Sequence, residues 1–157
     1  MLSKTDFKQL IKNAPLFAMD LVVLNKNDQI LVGQRQNAPA QGFWFVPGGR
    51  VYKNESLGCA FKRISQAELG LTLNIENAQL LGLYEHFYED SVFDEGLSTH
   101  YINATHFLRL SLDEITNLPR EQHQDYRWLS IEELESDQTV HFFSKVFLST
   151  LKADIKE

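Results

Sequence analysis

The stretch Pro47-Gly48-Gly49-Arg50, with Glu55, Arg63 and Glu68-Leu69-Gly70-Leu71 behind it, decides how this chain folds. Plotted at about 100° per residue, positions 56–71 put Leu57, Ala60, Phe61, Ile64 and Leu71 on one apolar stripe, the pattern of a helix laid on a core. Glu68 falls inside that stripe, between Leu57 and Phe61. A carboxylate there is costly unless a cation or a set of donors compensates it. The glycine pair ahead of the helix can aim backbone carbonyls into the same space, so a bound metal ion is one compensator. An ion pair with Arg50 or Arg63 is the other, and the residues alone leave both open.

Outward from this stretch the chain alternates strands and helices. Ser3 followed by Asp6 reads as a helix start, with Phe7, Leu10 and Ile11 as its apolar face. Leu16 to Leu24 is an apolar strand interrupted by Asp20. A turn over 25–28 returns the chain through Ile30 to Arg35 as a hairpin partner. Phe43 to Val46 is a third strand, ended by the Pro47-Gly48-Gly49 loop. Asn54 is placed as the N-cap of the central helix, and Gly70 as the residue that closes it. Leu80 to Tyr88 and Thr99 to Leu110 are long strands, joined by a polar loop over 89–98. Positions 117–125 form a loop carrying Gln122 and His123, followed by a short strand over 126–129. A short helix over 131–134 and an amphipathic helix over 141–152 close the chain. This order predicts an α+β fold with helices covering a mixed sheet.

Bulk properties exclude several classes. At 157 residues the chain is read as one domain, 1–157. A net charge of −6 without a basic block argues against nucleic acid or an anionic membrane surface as partner. No apolar run approaches the roughly 20 residues of a membrane span. The N-terminus lacks the apolar core of a signal peptide. A single cysteine, Cys59, allows no internal disulfide, so a cytoplasmic location is expected.

From Gly49 to Leu71 the order G-x5-E-x7-R, then a glutamate and a glycine, fixes residue types over 23 positions. It resembles the box of the Nudix hydrolases. That resemblance implies an α/β/α sandwich with a central mixed sheet. It also implies hydrolysis of a nucleoside diphosphate linked to another group, and a divalent cation, usually magnesium. The departures from the box are specific. Ile64 stands where a glutamate follows the arginine, Ser65 replaces a hydrophobic residue, and Ala67 replaces the first glutamate of a pair. Glu68 is the one metal-binding carboxylate of the box that remains. Fewer carboxylates hold fewer dications, so one ion is expected where a fuller box would hold a cluster.

Positions 1–151 resemble one branch of that family, the GDP-mannose mannosyl hydrolases. The resemblance runs through Ala38-Pro39-Ala40-Gln41-Gly42-Phe43-Trp44-Phe45-Val46-Pro47-Gly48-Gly49-Arg50, Ala67 to Leu71, His86-Phe87-Tyr88, Thr99-His100-Tyr101 and Glu121 to Leu129. It implies hydrolysis of GDP-mannose, and of GDP-glucose, to GDP and free hexose by attack of water at the anomeric carbon with inversion. It implies one Mg2+ ion per subunit, held by Gly48, Glu68 and Gln122. It gives His123 the role of general base, Arg35 a contact with the diphosphate, and Asp20 and Tyr101 places beside the substrate. Asp20 is cast as a hydrogen-bonding partner of sugar hydroxyls and Tyr101 as a donor to the leaving phosphate. Leu2, Ser3 and Phe7 match a segment that helps bind guanine, Arg50 is a further substrate-binding residue, and His86 lies in the same cleft. The branch forms homodimers. Its chemistry is self-consistent: GDP is a weakly basic leaving group, so a base without a partner acid suffices, and histidine titrates in the right range.

Plainer readings exist for the same residues. Arg63 fits a structural ion pair with Glu55 as well as it fits catalysis. Asp20, a charge inside an apolar strand, needs a partner that is either protein or sugar. Trp44 and Trp128 read as core aromatics, and His100 and His106 as structural. Two rival functions also stand. One is a pyrophosphohydrolase that releases a nucleoside monophosphate and a sugar 1-phosphate. The other is a nucleotide-sugar sensor without turnover.

Overall fold

The computed structural model describes residues 2–93, 96–111, 113–115, 117–121 and 123–156. Its spine is β1, Leu16–Leu24, a strand buried along most of its length. Even-numbered side chains from Val22 and Leu24 enter one apolar cluster, while Met19, Leu21 and Val23 enter another. A strand buried on both faces needs a layer over each, and the helices supply them. On one side α2, Leu57–Leu69, buries Ala60, Phe61, Ile64 and Leu69. On the other, α3 (Ile131–Ser136) and α4 (Leu148–Asp154) bury Ile131, Leu134, Leu148 and Leu151. The result is the expected α/β/α sandwich.

The sheet is mixed, seven-stranded and forked. Along one edge β1 runs parallel to β6, Thr99–Arg109, from Leu16↔Tyr101 to Leu24↔Arg109. β6 in turn pairs antiparallel with β5, Gln79–Tyr88. The other edge of β1 is divided. It meets β2, Ile30–Arg35, only at Leu24↔Ile30, and its first half is taken by β4, Gly48–Arg50, at Ala18↔Arg50 through Asp20↔Gly48. β2 instead pairs with β3, Trp44–Phe45, and with β7, His123–Leu129. The hairpin that starts the fork is set by Asn25, whose Oδ1 accepts from the N–H of Asn27 (2.9 Å) and of Gln29 (3.0 Å).

Local differences from the sequence reading have physical causes. Ser56, not Asn54, caps α2, its hydroxyl accepting from the Cys59 N–H at 3.2 Å. Asn54 has φ +65° and belongs to the turn before the cap. Leu57, placed on the apolar stripe, begins the helix and stays exposed, and Leu71 lies beyond its end. Gly70 closes the helix as expected, at φ +72°. The loop expected at Pro47-Gly48-Gly49 is largely strand β4, because β1 offers an unpaired edge there. β7 begins at His123, three residues before the expected strand. The helix expected over 141–152 is broken. His141 caps a 3-10 turn, Phe142–Ser144, and the Ser144 hydroxyl accepts the Val46 N–H at 3.0 Å; α4 starts only at Leu148. Among the described residues no helix is long and apolar enough to cross a membrane.

Candidate active site

The fork encloses a cavity of about 440 Å³. Asp20, Arg35, Gly48, Arg50, Glu68, His86, Tyr101, His123 and Phe7 all line it, so the chain brings together most of the residues singled out from sequence. On the sheet side the period of two does the positioning. Asp20 shares the face of β1 that carries Val22 and Leu24, and Tyr101 and His86 are direct cross-strand partners on β6 and β5. Asn103, buried and two residues from Tyr101, hydrogen-bonds Asp20 and accepts from the Thr105 hydroxyl at 3.1 Å. The sequence reading missed Asn103. An amide at same-face spacing from Tyr101, between Ile102 and Ala104, was the available signal.

Burial sets the charge states on this wall. It pushes the Asp20 carboxyl up to about 7; the Asn103 hydrogen bond and the Arg35 charge oppose that, and Glu68 adds to it. His86 is driven down to about 4 by burial and then by the nearby His141, so it is neutral at pH 7. Its ring stacks on Phe143 at 4.6 Å, and its Nε2 is buried without a hydrogen-bond partner. The Tyr101 phenol is raised above its ordinary value, chiefly by burial, and stays protonated.

Glu68 reaches the cavity from the other side of the sheet, with only 6% of its surface exposed. Its compensator here is neither Arg50 nor Arg63 but His123, whose Nε2 lies 2.8 Å from Glu68 Oε2. His123 is the cross-strand partner of Arg35, which puts an imidazole and a guanidinium side by side at the mouth of the fork. The ring lies flat against β2 at Gly33, where an added Cβ would come within 2.6 Å of the imidazole. Nδ1 faces that wall, buried and unpartnered, so Nε2 is the nitrogen that addresses the cavity. Tyr126, its edge toward the imidazole, has its phenol raised to about 12 by burial and by Glu68, and donates to the Pro119 carbonyl.

The departures from the box have structural roles. Ile64 is buried under β4, where a Cβ on Gly49 would sit 3.1 Å from it. Ser65 accepts the Leu73 N–H at 3.0 Å and ties down the chain after the helix. Arg63 is spent on structure: its Nε and a terminal nitrogen hold Glu55 at 2.7 and 2.8 Å, and the same terminal nitrogen donates to the Arg50 carbonyl at 2.8 Å. Toward the N-terminus, Ser3 caps α1, Lys4–Asn13, by accepting from the Asp6 N–H at 3.1 Å. Leu2 lines a neighbouring cavity of about 700 Å³ together with Arg50 and Tyr52. Gln122 lies outside the described residues.

A sequence profile of the NUDIX domain matches residues 15–151. The chain belongs to the Nudix family. It is 42% identical over 109 residues to the low-salt glycan biosynthesis protein Agl8 of Haloferax volcanii, covering 69% of this chain and 67% of that protein. Among solved structures it resembles the MutT protein of Methanosarcina mazei, with TM-score 0.71 and 18% identity over 92% of this chain and 99% of that one. It also resembles the MutT Nudix hydrolase of Burkholderia pseudomallei, with TM-score 0.69 and 22% identity over 88% and 99%. These structures share the fold. As a Nudix hydrolase the chain hydrolyses nucleoside diphosphate-linked compounds with a divalent cation. The donor set fits such an ion: a buried carboxylate, Glu68, lines the cavity with Gly48, where a Cβ would collide with Asp20 Oδ1 at 2.3 Å. Hard oxygen donors of this kind suit Mg2+ or Mn2+.

Proposed function

We propose that this protein hydrolyses a nucleoside diphosphate sugar at the anomeric carbon, and that its substrates are GDP-mannose and GDP-glucose. The observation that carries this is the wall formed by α2. Where the box supplies a row of carboxylates, this helix lines the cavity with Arg63, Ile64, Ala67 and Glu68, of which Glu68 alone is a carboxylate. Attack on phosphorus in a multi-metal site needs several anionic ligands. Departure of a nucleoside diphosphate from a sugar carbon needs one ion, some arginine and a base. The 42% identity to a glycan biosynthesis protein supports a sugar-linked substrate. The whole chain, 1–157, acts as one catalytic domain in this reading, as a cytoplasmic homodimer.

One Mg2+ ion per subunit, held by Gly48, Glu68 and Gln122, would neutralise charge developing on the leaving diphosphate. Arg35 and Arg50 bind diphosphate oxygens, which guanidinium geometry suits. Asp20 accepts from a sugar hydroxyl, and Asn103 keeps its carboxylate aligned. Tyr101, protonated, donates to the departing phosphate oxygen. His123, turned from Glu68 and carrying its own hydrogen on Nδ1, takes the proton of the attacking water through Nε2. The water oxygen bonds to the anomeric carbon, the bond from that carbon to the phosphate oxygen breaks, and GDP leaves with the electron pair, inverting the centre. Asp20 is a second proton acceptor in the same cavity, favoured by its titration near 7.

The deciding experiment is hydrolysis of GDP-mannose in 18O-labelled water with Mg2+. Label in the hexose supports attack at carbon. Label in a phosphate product supports the pyrophosphohydrolase, and binding without turnover supports the sensor.

A further inference from the structure

Arg50, at the end of β4, is held unlike Arg63 of α2. Arg63 is fixed by the Glu55 carboxylate and by a backbone carbonyl. The Arg50 guanidinium, among the described residues, has no carboxylate partner and lies between two rings, its carbon 4.5 Å from the centroid of Phe7 and 5.1 Å from that of Tyr52. Arg63 also lies over the Tyr52 ring, its guanidinium carbon 3.9 Å from the centroid. The main chain that carries the ring is itself anchored, because the Tyr52 backbone N–H donates to Glu55 Oε2 at 3.0 Å. Glu55 therefore fixes Arg63, Arg63 fixes the Tyr52 ring, and the ring with Phe7 fixes Arg50. Tyr52 and Arg50 also line both cavities and form the partition between them.

We propose that Tyr52 is a positioning residue: its ring, in contact with two guanidiniums, presets Arg50 in the cavity wall as a receptor for the substrate's diphosphate. A ring face attracts a cation without consuming its N–H donors. A carboxylate in the same place would hold Arg50 as firmly but take the donors the phosphate needs. Fixing the side chain before binding removes the ordering loss of a rotamer-rich arginine. The Tyr52 hydroxyl has no part in this, and the ring is half-exposed, so the position accepts substitution.

This inference rests on the nucleoside diphosphate reading above, and calorimetric titration of GDP with Mg2+ separates the two. Tyr52→Leu weakens GDP binding by about fivefold while Tyr52→Phe stays within about twofold of the unaltered protein. In an Arg50→Ala background, Tyr52→Leu adds nothing further, whereas a merely structural tyrosine would cause the same loss in both backgrounds. Equal GDP affinity with and without the ring, or the same loss in both backgrounds, overturns the proposal and leaves the function standing. Absence of GDP binding by the unaltered protein overturns both.

Discussion

On the sheet side of the cavity, Asp20, Asn103, Tyr101 and His86 crowd four polar groups onto one face; on the helix side, α2 presents Arg63, Ile64, Ala67 and one carboxylate. In a full Nudix box the helix carries the acidic load. Here the sheet supplies the second carboxyl group, Asp20, on β1, which pairs with β4 on one side and β6 on the other. The helix keeps the single group that strands cannot replace, and even that one is shared, since Glu68 holds His123. The difference teaches that the cavity carries two carboxyl groups on different walls, Asp20 and Glu68, rather than a cluster of them on the helix.

The comparison can be broken most sharply at His123. His123→Gln keeps a donor for Glu68 but removes the proposed proton acceptor, and turnover of GDP-mannose, the proposed substrate, should fall by about 10²–10⁴-fold with little change in substrate affinity. A rate near that of the unaltered enzyme removes His123 from the chemistry and leaves Asp20 as the base. Next comes the helix wall. Ile64→Glu puts a charge beneath Gly49 and should lower stability by about 3–5 kcal/mol. Ala67→Glu, on an exposed part of the same helix, should melt close to the unaltered protein; equal melting of both variants sinks this account of the wall.

The sheet side is probed by acid. His86 titrates near 4 in the folded protein and near 6.5 when unfolded, so the unfolded chain binds more protons between those values. The stability it contributes is intact above about pH 6.5 and is lost as pH falls toward 4, by about 3 kcal/mol at full extent. His86→Phe retains the stack on Phe143 and should show a smaller drop in melting temperature between pH 7.5 and 4.5; an unchanged drop assigns the acid sensitivity elsewhere. The smallest effect is on Glu68. Glu68→Gln should raise the Mg2+ concentration for half-maximal activity by roughly tenfold, and an unchanged requirement takes Glu68 out of the ligand set.

Much of this was legible in the sequence because it follows from periodicity. The alternation of Leu16–Leu24 and the helical spacing from Ala60 to Leu69 fix two layers and the sheet between them. The Gly48, Glu68 and His123 positions follow from the resemblance, and the chain does bring them to one cavity. What stayed hidden depends on tertiary partners. Gly48–Arg50 has the composition of a loop and becomes a strand only because β1 has an edge to spare there. His123 enters a strand because β2 continues to pair as far as Arg35. The break at Ser144 is imposed by a hydrogen bond from Val46, far away in the chain. The Glu68–His123 contact joins residues that no local pattern connects, so the sequence offered Arg50 and Arg63 as partners instead.

Gly33 shows how narrow the tolerance around the imidazole is. The strand passes so close to His123 that a single methyl group has nowhere to go. Alanine at this position would push on the imidazole and, through its Nε2, on the bond to Glu68. A residue with no side chain thus serves as the gauge block against which that ring is set.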